Sequence, residues 1–193
     1  MSHAAPPAAP ARWWVRWPSL LLHPFAVFAL LTLVAAWRLD PAALPRAMAG
    51  MAVVVAIVWA FAWWRWRSGR WSTVDASRAQ ERPLLYAIAL SLAGAYWLWI
   101  GGRASAMSTG VLSAIAMLCI AGLANRWIKL SLHMACLVFA GVVLLGLWRP
   151  LGLVLLACVP LLAWSRLRLA RHTWVEVLGG SVLGALAGAL LLP

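Results

Sequence analysis

Three short polar clusters interrupt an otherwise apolar chain, and each carries residue types that handle phosphate or protons. The third, residues 165–176, reads Ser-Arg-Leu-Arg-Leu-Ala-Arg-His-Thr-Trp-Val-Glu. His172 and Glu176 stand four apart in it. On a helix the carboxylate can therefore accept a hydrogen bond from one imidazole nitrogen and leave the other aimed outward, as a nucleophile or a base. Gly180, Gly184 and Gly188 continue the same spacing as a small-xxx-small stripe, which lets membrane helices pack closely, so the His/Glu face is expected to look inward. In the second cluster, Lys129-Leu-Ser131-Leu-His133, a cation and a hydroxyl meet the start of an apolar span, where exposed backbone N–H groups and the helix dipole favour an anion. His133 is either functional there or a histidine bonded to a neighbouring carbonyl. In the first, residues 75–83, Arg78 and Arg82 are four apart ahead of Pro83, a residue suited to a first helical turn. If the segment is helical the two guanidinium groups share a face; if not, it is a solvated loop that sets topology.

The elements that must position these clusters follow from composition. Hydrophobic residues make up 65% of the 193 positions and charged residues 10%, against roughly 45–50% and about 25% in a soluble domain. A soluble fold could not hide that surface, so the expected solvent is a bilayer and the expected class is all-α, a polytopic membrane helical bundle. Apolar runs bounded by Arg, Pro and Trp place candidate spans at 19–37, 48–64, 84–101, 107–124, 130–148, 151–164 and 174–192. The run 151–164 is short and holds Pro160, so the count is six to seven. The longest polar stretch, 65–82, cannot bury a core of its own, which leaves an N-terminal tail, 1–18, and one transmembrane domain, 19–193. The first apolar run is too long for a signal-peptide core and is read as a retained span.

The 16 Lys plus Arg against 4 Asp plus Glu give a net charge of +12. In a soluble chain that would suggest nucleic acid; between apolar spans it places basic residues at headgroups, as the 15 Trp also suggest, and nucleic acid is not an expected partner. Cys119, Cys136 and Cys158 have neither paired spacing nor a set of His or Asp residues to complete a metal site, and are expected to be small core residues. Two spans separate the first cluster from the second, and two more separate the second from the third, so all three emerge on one side and can converge. That side carries 12 of the 16 basic residues, which by the positive-inside rule faces the cytoplasm. Removing Arg78, Arg82, Lys129, Arg166 and Arg171 as candidate phosphate ligands leaves 7 against 4, with the same sign.

At these residues the chain resembles the type 2 phosphatidic acid phosphatase superfamily, whose motifs run K-x6-R-P, P-S-G-H and S-R-x5-H-x3-D. Ser165, Arg166, His172 and Glu176 match the third, with Glu for Asp; Arg82 and Pro83 match the end of the first; Ser131 and His133 match the second, with Leu130 and Leu132 in place of Pro and Gly. Asp75 stands where the first motif has Lys, and Arg78 is the proposed substitute. The resemblance covers residues 75–188.

What the resemblance implies is a lipid phosphatase. His172 would attack phosphorus to form a phosphohistidine, Glu176 would orient it, and His133 would protonate the leaving alcohol and then activate water. Arg82, Arg166, Lys129, Arg78 and the Ser131 hydroxyl would hold the phosphoryl oxygens. The four acidic residues, Asp40, Asp75, Glu81 and Glu176, lie in three separate regions, so the chemistry is expected to need neither metal nor cofactor. The substrate would be a polyprenyl or glycerophospholipid phosphate or diphosphate monoester. The partners would be that substrate and membrane lipids, with a homo-oligomer left open, and the location a bacterial inner membrane. Two other readings stand beside it: a phosphotransferase with the same nucleophile, and an inactive membrane scaffold or lipid-binding protein whose clusters only anchor headgroups.

Overall fold

The computed structural model describes residues 13–73 and 78–192; Asp75 and the first twelve residues of the expected tail lie outside them. Regular structure among the described residues is helical, with no strand. The helices are α1 (Trp13–Leu21), α2 (Pro24–Leu39), α3 (Leu44–Arg67), α4 (Arg82–Trp99), α5 (Ser108–Ala124), α6 (Leu132–Leu147), α7 (Arg149–Ala157), α8 (Val159–Arg168) and α9 (Trp174–Ala189). Three stretches are long and apolar enough, by length and composition, to cross a membrane: Trp13–Leu39, Pro41–Arg67 and Arg149–Arg168. The last contains the short run around Pro160, which gains its length from the helical residues on either side.

Two boundaries differ from expectation. Helix begins at Trp13, inside the expected tail of residues 1–18. The expected first span is broken at 22–23, because His23 caps α2 by accepting the Phe25 N–H through Nδ1 while Pro24 takes the first helical position. A side-chain acceptor followed by proline is a helix start even inside an apolar run.

Specific contacts fix the directions of the helices. Gly180 packs on Ser131, Gly184 on Ala135 and Gly188 on Phe139, so α9 runs parallel to α6. A Cβ at Gly184 would collide with the Ala135 carbonyl oxygen, which is why the stripe must be glycine. His23 meets His133, Phe28 meets Phe139 and Trp37 meets Trp148, so α2 is parallel to α6 as well. The helices α4 and α5 run antiparallel, with Tyr86 against Gly122 at one end and the Trp97 indole donating to Ser108 Oγ at 2.8 Å at the other. Across α3 and α4, Tyr96 donates to the Ala47 carbonyl at 3.3 Å and Trp99 to the Arg46 carbonyl at 2.9 Å. All three polar clusters therefore sit at the same end of the bundle.

The core is α6, buried from His133 through Gly141 and again at Leu144. Because lipid is as apolar as Leu, what holds α6 is close fit against α9, α7 and α2 rather than escape from water. Many Leu, Ile and Val side chains on the other helices face outward, and exposed indoles other than Trp17 and Trp59 collect at helix ends: Trp13, Trp14, Trp63, Trp64, Trp66, Trp127 and Trp174 at the polar end, Trp37, Trp99 and Trp148 at the other. That is the distribution expected of a bundle flanked by two headgroup layers. Of the cysteines, Cys136 is core as expected and Cys158 half-buried, but Cys119 is exposed on the outer face of α5.

Candidate active site

The turn between α8 and α9 delivers His172 and Glu176. Ala170 closes α8 with φ of 51°, a left-handed conformation that costs an alanine about 1 kcal/mol. The Arg171 N–H donates back to the Arg166 carbonyl at 3.1 Å, while the Arg171 carbonyl accepts Lys129 Nζ at 2.8 Å. Thr173 then caps α9, and Glu176 returns the favour by accepting the Thr173 N–H through Oε2 at 3.1 Å, a capping box. That same Oε2 accepts the His172 Nδ1–H at 2.9 Å and lies 3.8 Å from Lys129 Nζ. One carboxylate oxygen thus starts the helix and orients the imidazole.

With Nδ1 donating to Glu176, Nε2 carries the lone pair, and Arg82 Nη2 lies 3.5 Å from it. Arg82, buried at the first residue of α4, also donates from Nη1 to the Leu130 carbonyl at 2.7 Å. Burial, then the Arg166 and Arg82 guanidinium groups and the Lys129 ammonium, push the His172 imidazole down to about 2, opposed by a hydrogen bond with the Lys129 backbone. It is neutral at physiological pH, the form a nitrogen nucleophile requires. Burial lowers Lys129 too, opposed by Glu176 and reinforced by the neighbouring arginines.

Ser131 and His133 come from the turn that starts α6. The Ser131 N–H donates to the Glu176 carbonyl at 3.0 Å, which locks this turn to α9; Leu130 and Leu132 do not prevent it. Ser131 Oγ and His133 Nε2 are buried without a hydrogen-bond partner. Orphaned polar atoms are costly in a native interior, and a pair of them beside two buried guanidinium groups marks a place for a polar ligand. His133, Arg82 and Arg166 line one end of a cavity of about 710 Å³ inside the bundle.

The structure brings together His172, Glu176, Arg82, Arg166, Lys129, Ser131 and His133. It does not bring Arg78. A 3-10 turn over Ala79–Glu81 precedes α4, Arg78 is extended and exposed ahead of it, and its N–H donates to Glu81 Oε2 at 3.2 Å. The shared helical face with Arg82 does not form, because the α-helix starts only at Arg82, four residues after Arg78, and a 3-10 turn fills the gap. Ser165 also has a structural role: its hydroxyl donates to the Val15 carbonyl at 2.6 Å and lies 2.8 Å from Ser19 Oγ, pinning α1 to α8. Among the described residues no three His, Cys, Asp or Glu side chains gather as a metal site would require.

Sequence reasoning missed His23. Its ring stands edge-on to His133 with centroids 5.0 Å apart, and it lines the same end of the cavity. The available signal was a histidine directly before a proline inside an apolar run, which reads as a helix cap and so as a break. The chain matches no protein-family model, no curated protein and no solved structure.

Proposed function

We propose that this protein is an integral membrane phosphatase acting on a lipid phosphate or diphosphate monoester, with His172 as nucleophile. One observation carries the reading: a neutral, buried imidazole whose Nδ1 is held by Glu176 at 2.9 Å and whose Nε2 is turned toward a buried arginine at 3.5 Å. The resemblance of residues 165–176 to the third motif of the type 2 phosphatidic acid phosphatases supports it independently of geometry.

In the forward step Nε2 of His172 bonds to phosphorus as the bond from phosphorus to the ester oxygen breaks, and His133 gives that oxygen its proton. Water then attacks the phosphohistidine, His133 takes the water's proton, and inorganic phosphate leaves with Nε2 restored. Arg82, Arg166 and Lys129 neutralise the phosphoryl oxygens, and Ser131 Oγ adds a hydrogen bond. Glu176 stabilises the cationic imidazole that exists between the two steps. Because cations supply the charge stabilisation, no metal is required.

Counting α1 with α2 and α7 with α8 as single crossings gives seven spans. The helices α5, α6 and α9, with 17, 16 and 16 residues, are about 24–26 Å long, short of a hydrocarbon core of about 30 Å. Helix α6 is buried by protein from His133 through Gly141, so most of its length is shielded from lipid. The excess of basic residues at the polar end favours a cytoplasmic active site in a bacterial inner membrane. The experiment is phosphate release by purified protein from a panel of lipid phosphates in excess EDTA. Turnover lost on His172→Ala supports the reading; turnover restored only by Mg²⁺, or unchanged by the substitution, contradicts it.

A further inference from the structure

The cavity that begins at Arg82, His133 and Arg166 does not end there. Its lining continues between α2, α3, α4, α5 and α6 to Met107, Gly110, Leu147 and Leu190 at the opposite end of the bundle. Consecutive members of the ring α2, α3, α4, α5, α9 and α6 pack against one another, so helices surround this space, which stays open to the outside along part of its wall. The Ser113 hydroxyl closes one seam by donating to the Ala187 carbonyl at 2.8 Å. Beyond the polar end the lining is almost wholly apolar, and a Cβ placed on Gly110 would meet no atom within 4 Å.

A ligand matching both ends has an anionic head and a long hydrocarbon tail. We infer that the tail of the phosphate ester is taken inside the bundle, as one extended chain running from the buried arginines to Gly110, rather than left in the surrounding bilayer. This rests on the phosphatase reading for the head and on the cavity alone for the tail. The two lining residues His133 and Leu147 are 14 positions apart on α6, so the depth is about 21 Å. An extended chain advances roughly 1.2 Å per bond, one third of a residue's reach, so about 17 bonds fill it. The cavity thus acts as a ruler, selecting phosphate esters with chains of about 16 carbons or longer over short ones.

The test uses the full chain in nanodiscs and three probes that cannot be hydrolysed. The first is hexadecyl phosphonate with a terminal diazirine, the second its octyl analogue, and the third the diazirine-tagged C16 alcohol, which lacks the head. After photolysis and digestion, the C16 phosphonate is expected to label residues 107–111 or 190–192, and the octyl phosphonate residues nearer His133. Gly110→Phe should cut the deep C16 adducts about tenfold and leave the octyl adducts in place. Adducts confined to the outer residues Leu112, Ile120 and Leu123 would overturn the inference. So would equal deep labelling by the alcohol, which would mean that the cavity holds bulk lipid. Adduct mapping in the wild-type chain decides the matter even if Gly110→Phe does not fold. Deep adducts in a protein that releases no phosphate from any lipid would sink the phosphatase reading and leave the tail site standing; turnover with adducts only on the outside would do the reverse.

Discussion

Arg82 stands between two elements far apart in sequence, holding the Leu130 carbonyl at 2.7 Å with Nη1 and approaching His172 Nε2 to 3.5 Å with Nη2. Only a planar fork does both. Lysine could keep the charge but not the pair of contacts. Arg82→Lys is expected to lower kcat roughly 10²-fold, the usual size for removing one oriented donor to a transition-state oxyanion. Steady-state phosphate release checks it, and a variant within about threefold of wild type would show that charge alone suffices.

Glu176 fixes the tautomer of His172 through a single oxygen. Glu176→Gln keeps the size and permits an amide to donate to Nδ1, which moves the ring proton to Nε2 and removes the nucleophilic lone pair. A loss of roughly 10²- to 10⁴-fold in kcat is expected, by analogy with the orienting carboxylate of a serine protease triad. Glu176→Asp should retain more activity than Gln, and equal losses would argue against an orienting role.

The depressed His172 pKa has a consequence for stability. The native imidazole stays neutral down to about pH 2, whereas in the unfolded chain it binds a proton below about 6.5. Its contribution is therefore fully present above pH 6.5 and is lost as pH falls toward 2, by at most about 1.4 kcal/mol per pH unit. Thermal unfolding in detergent at pH 7.5 and pH 5 should show a larger fall in Tm for wild type than for His172→Asn. Equal falls would mean that the imidazole is not held neutral.

Gly184 packs on the Ala135 carbonyl, Glu176 sits in the first turn of the same helix, and His172 lies in the turn just ahead of it. Gly184→Val should push α9 from α6, costing about 1–3 kcal/mol of stability and loosening the turn that presents His172. Gly110→Ala, where there is open space inside a helix, should not lower the unfolding temperature and should raise it slightly through helix propensity. Parallel melts of the two variants check both, and tolerance of valine at 184 would show that the α6 and α9 interface is not tight.

What could be read from the sequence is what repeats locally. The four-residue step from Glu176 through Gly180, Gly184 and Gly188 is a helical period, and the structure places that stripe against α6, whereas His172 reaches Glu176 from the turn ahead of the Thr173 cap and not from the helix itself. The convergence of three clusters at one end follows from counting spans. What escaped depends on contacts across the chain: His23 on His133, Ser165 on α1, and the cavity, which exists only because six helices surround it. Arg78 stands apart from the cluster for a local reason, since Glu81 accepts the Arg78 N–H to cap a 3-10 turn, and the sequence left a helical segment and a solvated loop both open there.

The most direct measurement is capture of the covalent intermediate. Purified protein mixed with a ³²P-labelled lipid phosphate, quenched in denaturant and digested, should yield a labelled peptide containing His172, with a label stable in alkali and lost in acid as a phosphoramidate bond requires. Label absent from His172→Ala and retained in His133→Ala would confirm the division of roles, because removing the acid and base slows both half-reactions without removing the nucleophile. Label on any other residue, or phosphate release by His172→Ala at the wild-type rate, would contradict His172 as the nucleophile.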